Sequence, residues 1–319
     1  MSAPVLVTGA SGFAGSHLLE LLQSEGATIV AWSRQGAPPG AADDVTWHAV
    51  DVADAGQVDR AIAATPPAVI YHCAGDPQSN QTRERVGATF VVNVHGTIHL
   101  LQAVARHARA ARVVVTGSAL VYRASPEALD ESAPLGPSSP YGISKLAQEM
   151  VALRVAAIEG LDVIVSRSFN HIGPRQAPAF VAASVARQLA MMEAGVLEPV
   201  LKIGNLDAAR DLTDVRDMVR AYRLLAERGT PGTVYNVCRG EARPIRQLVA
   251  DLVARARVPV EIAVDPSRLR ASDVPVVLGS AARIAHDTGW TPAIPPERTL
   301  DDLLDYWRAA VARSRPVSH

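Results

Sequence analysis

The sequence predicts an α/β fold, a doubly wound parallel sheet with a smaller C-terminal lobe. Apolar runs of strand length alternate with helical patterns through the first half, and the runs are rich in β-branched residues. Strands that helices cover on both faces have this continuous apolar character. The strand candidates are residues 5–7, 28–32, 45–50, 68–72, 113–115 and 163–165.

The alternation loosens after about residue 170 into proline-rich turns, short strands and separate helical patterns. The clearest helical patterns are at 180–193, 245–256 and 297–313, and the last places Leu300, Leu303, Leu304 and Trp307 on one face. We expect residues 1–168 to form mainly the sheet domain. Residues 169–319 would form mainly the smaller lobe, with some segments returning to the sheet domain.

Charge and composition indicate a small-molecule partner. The 319 residues carry a net charge of −1 without a basic stripe, which argues against binding to nucleic acid or to an anionic membrane surface. The helical pattern at 179–192 is shorter than the roughly 20 residues that cross a bilayer, so we expect no membrane span. No secretory signal pattern is present, and the two cysteines fit reduced thiols, so we expect a cytoplasmic location.

A glycine-rich turn between the first strand and the first helix predicts a dinucleotide site of the Rossmann type. Glycines permit a tight turn and let backbone N–H groups and the helix N-terminus reach a pyrophosphate. A purely structural turn is the alternative interpretation. The residues assigned to cofactor binding here are Gly9, Ser11, Gly12, Phe13, Ala14 and Gly15.

The end of the second strand bears on the choice of cofactor. An NAD enzyme usually carries an acid there, whereas this sequence has Ser33 and Arg34. These residues would hold a 2′-phosphate, so we predict NADP(H), with NAD(H) left possible. The alternative for Arg34 is a solvated loop residue. Small residues after the fourth strand, Ala74 and Gly75, would let the cofactor lie against the backbone.

Tyr141 and Lys145 form the candidate catalytic pair. Four residues apart on a helix, they share one face, and a nearby ammonium is expected to lower the pKa of the phenol toward neutrality. Ser118, after the strand at 113–115, would hydrogen-bond the substrate oxygen that Tyr141 protonates. Thr116 is the competing hydroxyl. We assign no metal site.

The glycine turn, Asn93, Ser118, Tyr141 and Lys145 together resemble the extended short-chain dehydrogenase/reductase family, the NAD-dependent epimerase/dehydratases. The resemblance covers essentially the whole chain. It implies an NAD(P)-dependent oxidoreductase that exchanges hydride with a sugar carbon, and a homodimer. The further cofactor contacts that it implies are Asp51, Val52, Asn93, Tyr141 and Lys145, for which the alternative at Asp51 is a helix cap.

Segments 168–174, 204–217, 234–238 and 268–275 resemble the branch of GDP-mannose 4,6-dehydratases and GDP-6-deoxy-4-keto-mannose reductases, the reductases more closely. This implies reduction of the C4 ketone of a GDP-linked 4-keto-6-deoxyhexose, giving GDP-D-rhamnose or its C4 epimer. The substrate-binding residues implied are Ser118, Asn170, His171, Lys202, Arg210 and Arg270. Lys202 is equally well interpreted as a solvated strand residue.

Ala119 separates the two activities of that branch. Dehydration needs an acid beside the catalytic hydroxyl to protonate the departing hydroxide, and an alanine follows Ser118 here. Reduction is therefore favoured over a 4,6-dehydratase. A 4-epimerase remains an alternative, since it would use the same serine, tyrosine and lysine, with His171 either structural or catalytic. A non-catalytic NAD(P)-sensing protein is the more distant alternative.

Overall fold

The computed structural model describes residues 3–77, 85–265, 267 and 274–314. The strands are β1 (Val5–Thr8), β2 (Ile29–Ser33), β3 (Val45–Ala49), β4 (Val69–His72), β5 (Arg112–Thr116), β6 (Asp162–Ser168), β7 (Asn170–Ile172), β8 (Val200–Ile203), β9 (Ala209–Asp214), β10 (Val234–Val237), β11 (Ala242–Pro244), β12 (Glu261–Val264) and β13 (Val276–Val277). The helices are α1 (Phe13–Ser24), α2 (Ala55–Ala64), α3 (Arg85–Phe90), α4 (Gly96–His107), α5 (Pro140–Glu159), α6 (Val181–Glu193), α7 (Val215–Arg228), α8 (Ile245–Val253), α9 (Ala282–Thr288) and α10 (Pro296–Ser314).

A seven-stranded parallel sheet in the order β10-β6-β5-β4-β1-β2-β3 forms the centre of the molecule. The strand order reverses between β1 and β4, the point at which doubly wound sheets bind ligands beyond their carboxyl ends. Helices α2, α4 and α5 cover one face and α1, α7 and α9 the other. The predicted Rossmann-type fold class is confirmed.

The strands of this sheet coincide with the predicted apolar runs, because helices bury both of its faces. Leu6, Ile70, Val113 and Val163 contribute to the core cluster on one face, and each is at most 1% exposed. The catalytic-helix candidate α5 begins where Ser139 caps it by accepting a hydrogen bond from the Gly142 N–H. Local sequence therefore fixes where this helix starts.

The smaller lobe contains two further sheets. Strand β9 lies between β11 and β13 and also pairs with β7, while β8 and β12 form a separate parallel pair. Helices α6, α8 and α10 pack over them, and Leu300, Leu303 and Leu304 of α10 are buried as the pattern predicted. Strand β10 crosses back and pairs with β6 in the large sheet.

One helical stretch in the described part of the chain, 86–107, is long and apolar enough to cross a membrane by length and composition alone. Half of its most apolar window is buried inside the fold. Leu100, Leu101 and Val104 from this stretch lie fully buried in the core beside α2 and α5. The stretch is therefore weak evidence for a membrane span, because core helices have the same composition.

Candidate active site

The turn after β1 has the geometry that the glycines predict. Gly9 has φ +64°, and a Cβ placed there would lie 2.6 Å from the Ala74 nitrogen. Gly12 begins α1 without a side-chain cap, and the first turn of α1 has no acid. Ser11 and Gly12 are exposed, with Phe13 and Ala14 half-buried and Gly15 buried behind them. A pyrophosphate would meet free N–H groups at this helix end.

The two residues predicted to hold a 2′-phosphate differ in their surroundings. Ser33 is buried, and its hydroxyl donates to the Gly36 carbonyl at 2.6 Å while accepting from the Gln35 N–H at 3.2 Å. Arg34 is exposed beside it. The serine hydroxyl is therefore used within the loop, whereas the Arg34 side chain beside it is exposed.

Asp51 is not the cap of the following helix. Its carboxylate accepts the Ala53 N–H at 2.9 Å, whereas Asp54 caps α2 by accepting from the Gln57 N–H at 3.0 Å. The helix-cap alternative for Asp51 is therefore wrong. Its neighbour Val52 is buried, and the Val52 carbonyl contacts His99 Nδ1 at 3.0 Å.

A π-helical turn, Val91–His95, places the Asn93 side chain beneath the carboxyl end of β4. Its Oδ1 accepts the Asp76 N–H at 2.9 Å, and its Nδ2 donates to Ser144 Oγ at 3.0 Å. Gly75 lies against the same group, since a Cβ there would sit 3.2 Å from Asn93 Oδ1 and 3.8 Å from Lys145 Nζ. The turn after β4 and the catalytic-helix candidate are thus joined through one amide. Such π turns are frequent at functional sites.

Ser118 and Tyr141 lie together beyond the end of β5, close enough for the Ser118 hydroxyl to act on the pKa of the phenol. Ser118 begins a short 3₁₀ turn, and its Oγ accepts the Leu120 N–H at 3.2 Å. The Thr116 hydroxyl, the competing candidate, donates to the His72 carbonyl at 3.0 Å. Among the described residues, Ser118 is therefore the hydroxyl that the fold brings to the Tyr141 phenol.

The expected lowering of the Tyr141 pKa by Lys145 is wrong. Burial, reinforced by the Asp76 carboxylate, raises the pKa of Tyr141 to about 12, while the Ser118 hydroxyl acts in the opposite direction. The Lys145 ammonium is instead held by the Thr116 carbonyl at 2.7 Å and Gln148 Oε1 at 2.6 Å. At neutral pH the phenol is protonated, which is the form that can donate a proton.

Lys145 is itself an unusual lysine. It is 4% exposed, and burial lowers its pKa to about 8. No carboxylate pairs with it among its hydrogen-bonding partners, which are both neutral oxygens. Its charge therefore depends on those two acceptors.

The predicted substrate residues are distributed over the smaller lobe. Asn170 is exposed on β7, and next to it the ring of His171 stacks on Phe13 of α1 at 5.5 Å. His171 Nδ1 lies 3.1 Å from the Phe169 carbonyl, so this nitrogen carries the proton. Burial lowers the pKa of His171. These contacts give the histidine a structural role in holding α1 against β7.

The cations predicted to bind substrate are Lys202, Arg210 and Arg270, and the two that the structure describes lie in different sheets. Arg210 lies on β9 and donates from Nη1 to the Ala209 carbonyl at 2.8 Å. Lys202 is exposed on the separate β8–β12 pair. Arg270 lies outside the described residues.

Sequence reasoning missed four buried polar residues behind the catalytic pair. Thr8, His72, Thr97 and Gln148 are each at most 1% exposed and are hydrogen-bonded to one another in series. The one signal in the sequence was a histidine at the end of an otherwise apolar strand. Its partners come from three other elements, so their proximity could not be predicted.

Comparison with known proteins identifies the family. Residues 5–238 match the NAD dependent epimerase/dehydratase family. The chain belongs to this family. The predicted family and the prediction of an NAD(P)-dependent enzyme are thereby confirmed, and the match includes the glycine turn, Ser118, Tyr141 and Lys145.

Individual relatives align with nearly the whole length of this chain. The GDP-6-deoxy-D-mannose reductase of Pseudomonas aeruginosa is 36% identical over 314 residues, which cover 98% of this chain and 99% of the relative. A structure of RMD from Pseudomonas aeruginosa complexed with NADPH aligns with a TM-score of 0.84 and 33% identity over 97% of this chain and 100% of that one. The Thermus thermophilus UDP-glucose 4-epimerase complex with NAD aligns with a TM-score of 0.85 and 27% identity, covering 96% and 99%. Family members thus bind either nicotinamide cofactor.

Proposed function

We propose that the protein reduces the C4 ketone of a GDP-linked 4-keto-6-deoxyhexose to GDP-D-rhamnose or its C4 epimer. The observation that carries the proposal is the pairing of a protonated Tyr141 with Ser118 where an alanine, rather than an acid, follows the serine. The relative of 36% identity, a GDP-6-deoxy-D-mannose reductase, supports the substrate class.

Ala119 argues against the dehydratase alternative. It is 6% exposed and packs with Val121, Tyr122 and Phe169 in an apolar cluster. The residue that follows Ser118 in the sequence therefore has no proton to give to a departing hydroxide. A reductase needs only one proton donor, and Tyr141 provides it.

In the proposed mechanism the residues of this chain bind and orient the sugar and protonate its ketone oxygen. The bound nicotinamide would supply hydride to the sugar C4. Ser118 would hydrogen-bond the ketone oxygen, and the Tyr141 hydroxyl would donate its proton to the same oxygen as negative charge develops on it. Lys145 would contact the cofactor ribose, and Arg210, Arg270 and Asn170 would bind the diphosphate, whose charge suits guanidinium donors.

For the cofactor, we propose NADPH in preference to NADH. Gly9 lets the turn after β1 pack against the turn after β4, since a Cβ there would lie 2.6 Å from the Ala74 nitrogen. The exposed guanidinium of Arg34 would bind the 2′-phosphate. We propose that residues 1–168 supply most of this site and residues 169–319 most of the nucleotide-sugar site.

We also propose a homodimer that works in the cytoplasm. Helix α5 exposes Ile143, Met150 and Ile158, and Val91 is exposed on the neighbouring π turn. A second copy packing on this surface would cover these side chains. The two free cysteines suit a reducing compartment. Sedimentation of the purified protein would distinguish the dimer from a monomer.

An NADPH-oxidation assay with GDP-4-keto-6-deoxymannose tests the proposed reaction, with dTDP-4-keto-6-deoxyglucose as the control sugar. Oxidation with the GDP sugar alone supports the reductase. If cofactor binds and neither sugar is reduced, the proposal is wrong, and epimerase and dehydratase substrates become the ones to test.

A further inference from the structure

A buried series of hydrogen bonds connects Lys145 on α5 to Thr8 at the end of β1. Lys145 donates to Gln148 Oε1 at 2.6 Å, and Gln148 Nε2 donates to Thr97 Oγ1 at 2.8 Å. His72 Nε2 lies 3.0 Å from the same Thr97 oxygen, and His72 Nδ1 lies 2.8 Å from Thr8 Oγ1. All five side chains are at most 4% exposed.

The donor and acceptor in each of these hydrogen bonds can be assigned from the Asn93 carbonyl, which can only accept. The Thr97 hydroxyl donates its proton to the Asn93 carbonyl at 2.8 Å, so its oxygen can only accept from Gln148 and from His72. His72 therefore carries its proton on Nε2, and its Nδ1 accepts from the Thr8 hydroxyl. Thr8 Oγ1 in turn accepts the Ala74 N–H at 3.2 Å.

The same reasoning fixes the orientation of the Gln148 amide. Its NH₂ group must face Thr97, so its carbonyl oxygen must face the Lys145 ammonium. A rotated amide would set NH₂ against an ammonium and leave Thr97 without this donor. The amide cannot rotate without breaking two buried hydrogen bonds, each of which is costly to leave unmade.

We propose that Gln148 is a positioning residue for Lys145, holding the ammonium together with the Thr116 carbonyl so that its remaining N–H points to the bound cofactor. The proposal depends on the proposed function only through the contact of Lys145 with the cofactor. An uncharged amide suits this task because it accepts one hydrogen bond from the ammonium without forming an ion pair. The remaining ammonium N–H is then available to the ligand.

Protonation of Lys145 should then depend on Gln148. Among the described residues, the titratable groups whose charge interacts with Lys145 are His72 and Cys73 at the end of β4, and Tyr141 lies one turn before it on α5. Burial lowers the pKa of His72 to about 3 and raises that of Cys73 to about 12, so both are uncharged near neutrality. Asp76 is close enough to raise the pKa of Tyr141. Gln148 and the Thr116 carbonyl are thus the hydrogen-bond acceptors that sustain the charge.

Nuclear magnetic resonance of protein labelled with ¹³C at lysine Cε gives a direct test, because the chain has only Lys145 and the exposed Lys202. The cofactor-free protein is titrated from pH 6 to pH 11 as wild type and as the variants Gln148→Met and Gln148→Glu. Gln247→Met, at an exposed glutamine on α8, is the matched control.

We expect the Lys145 midpoint, near pH 8 in the wild type, to fall by about one pH unit in Gln148→Met, which loses an acceptor for a charged donor. It should rise in Gln148→Glu, which adds a negative charge, and stay unchanged in Gln247→Met. Shifts in opposite directions exclude a merely structural effect. A Lys145 midpoint that is unchanged in both variants overturns the proposal, and if one variant does not fold, the other still decides.

Fluorescence titration with NADPH at pH 7 and pH 9 provides the second readout. Gln148→Met should bind NADPH about ten-fold more weakly at pH 9 than the wild type does, since less Lys145 is charged. Equal affinities would contradict the positioning role. If the Lys145 midpoints shift as expected while no sugar is reduced, the inference stands and the proposed function falls. If the sugar is reduced and the midpoints do not move, the inference falls alone.

Discussion

The guanidinium of Arg167 on β6 forms two hydrogen bonds to the carboxylate of Glu149 on α5, at 2.9 Å and 2.6 Å. Both side chains are almost fully buried. Glu149 lies one turn after Lys145 on the same face of α5, and Arg167 also donates to the Tyr122 hydroxyl at 2.9 Å. The pair therefore fixes the helix that carries Tyr141 and Lys145 to the central sheet.

Removing one partner of this ion pair should be strongly destabilising. We expect Arg167→Met to lower the free energy of unfolding by about 3–5 kcal/mol, because Glu149 is left buried and charged. The double variant Arg167→Met/Glu149→Leu should lose less than the single one. Urea denaturation measures both. A double variant as unstable as the sum of the two single variants would show that the pair does not act as a unit.

Tyr141→Phe tests the proton donor. We expect turnover to fall by about 10²–10⁴-fold, the usual contribution of a positioned general acid. NADPH affinity should change little, because the phenyl ring remains. A second variant, Tyr235→Phe, removes a buried hydroxyl that donates to Asp287 at 2.7 Å outside the catalytic pair, and it serves as the control. Full turnover by Tyr141→Phe would refute the assigned role.

Arg34→Ala tests the proposed selectivity for the phosphorylated cofactor. Loss of hydrogen bonds from a guanidinium to a phosphate should weaken NADPH binding by about ten-fold or more. NADH binding should be unchanged, since NADH has no 2′-phosphate. Arg60→Ala, at another exposed arginine in the same domain, is the matched control. Equal weakening for NADPH and NADH would argue against a phosphate contact.

The buried His72 should make the free energy of unfolding decrease as the pH falls. Burial lowers its folded-state pKa to about 3, whereas an unfolded histidine titrates near ~6.5. The unfolded chain therefore binds a proton that the folded chain does not, and stability declines as pH falls from about 6.5 toward 3. We expect His72→Gln to have a flatter pH dependence than the wild type in urea denaturation between pH 7 and pH 5. Parallel curves would mean that His72 is not buried as a neutral ring.

The parts of the fold that rest on local patterns could be predicted from sequence. The strands around the glycine turn were located because continuous β-branched runs are specific to buried parallel strands, and α10 because its leucines share one face. The site was predicted less completely. The spacing of Tyr141 and Lys145 placed them on one helix face, but it could not show that Lys145 turns toward Thr116 and Gln148.

Side-chain direction accounts for the other differences. The pKa of Tyr141 depends on burial and on Asp76, whose approach is set by the turn after β4 rather than by any local pattern. Ser33 is predicted at the phosphate, and only the folded loop shows that its hydroxyl also closes the turn with Gly36. Lys202 and Arg210 are eight residues apart in the sequence but lie in different sheets. Such contacts arise only from tertiary packing.

Transfer of deuterium tests the central claim most directly. The protein is incubated with GDP-4-keto-6-deoxymannose and NADPH carrying deuterium at the transferable position of the nicotinamide, and the product is analysed by NMR. We predict one deuterium on C4 of a 6-deoxyhexose, with one NADPH oxidised for each sugar formed. A sugar that changes configuration without net NADPH oxidation, or a product without deuterium at C4, would contradict reduction at C4.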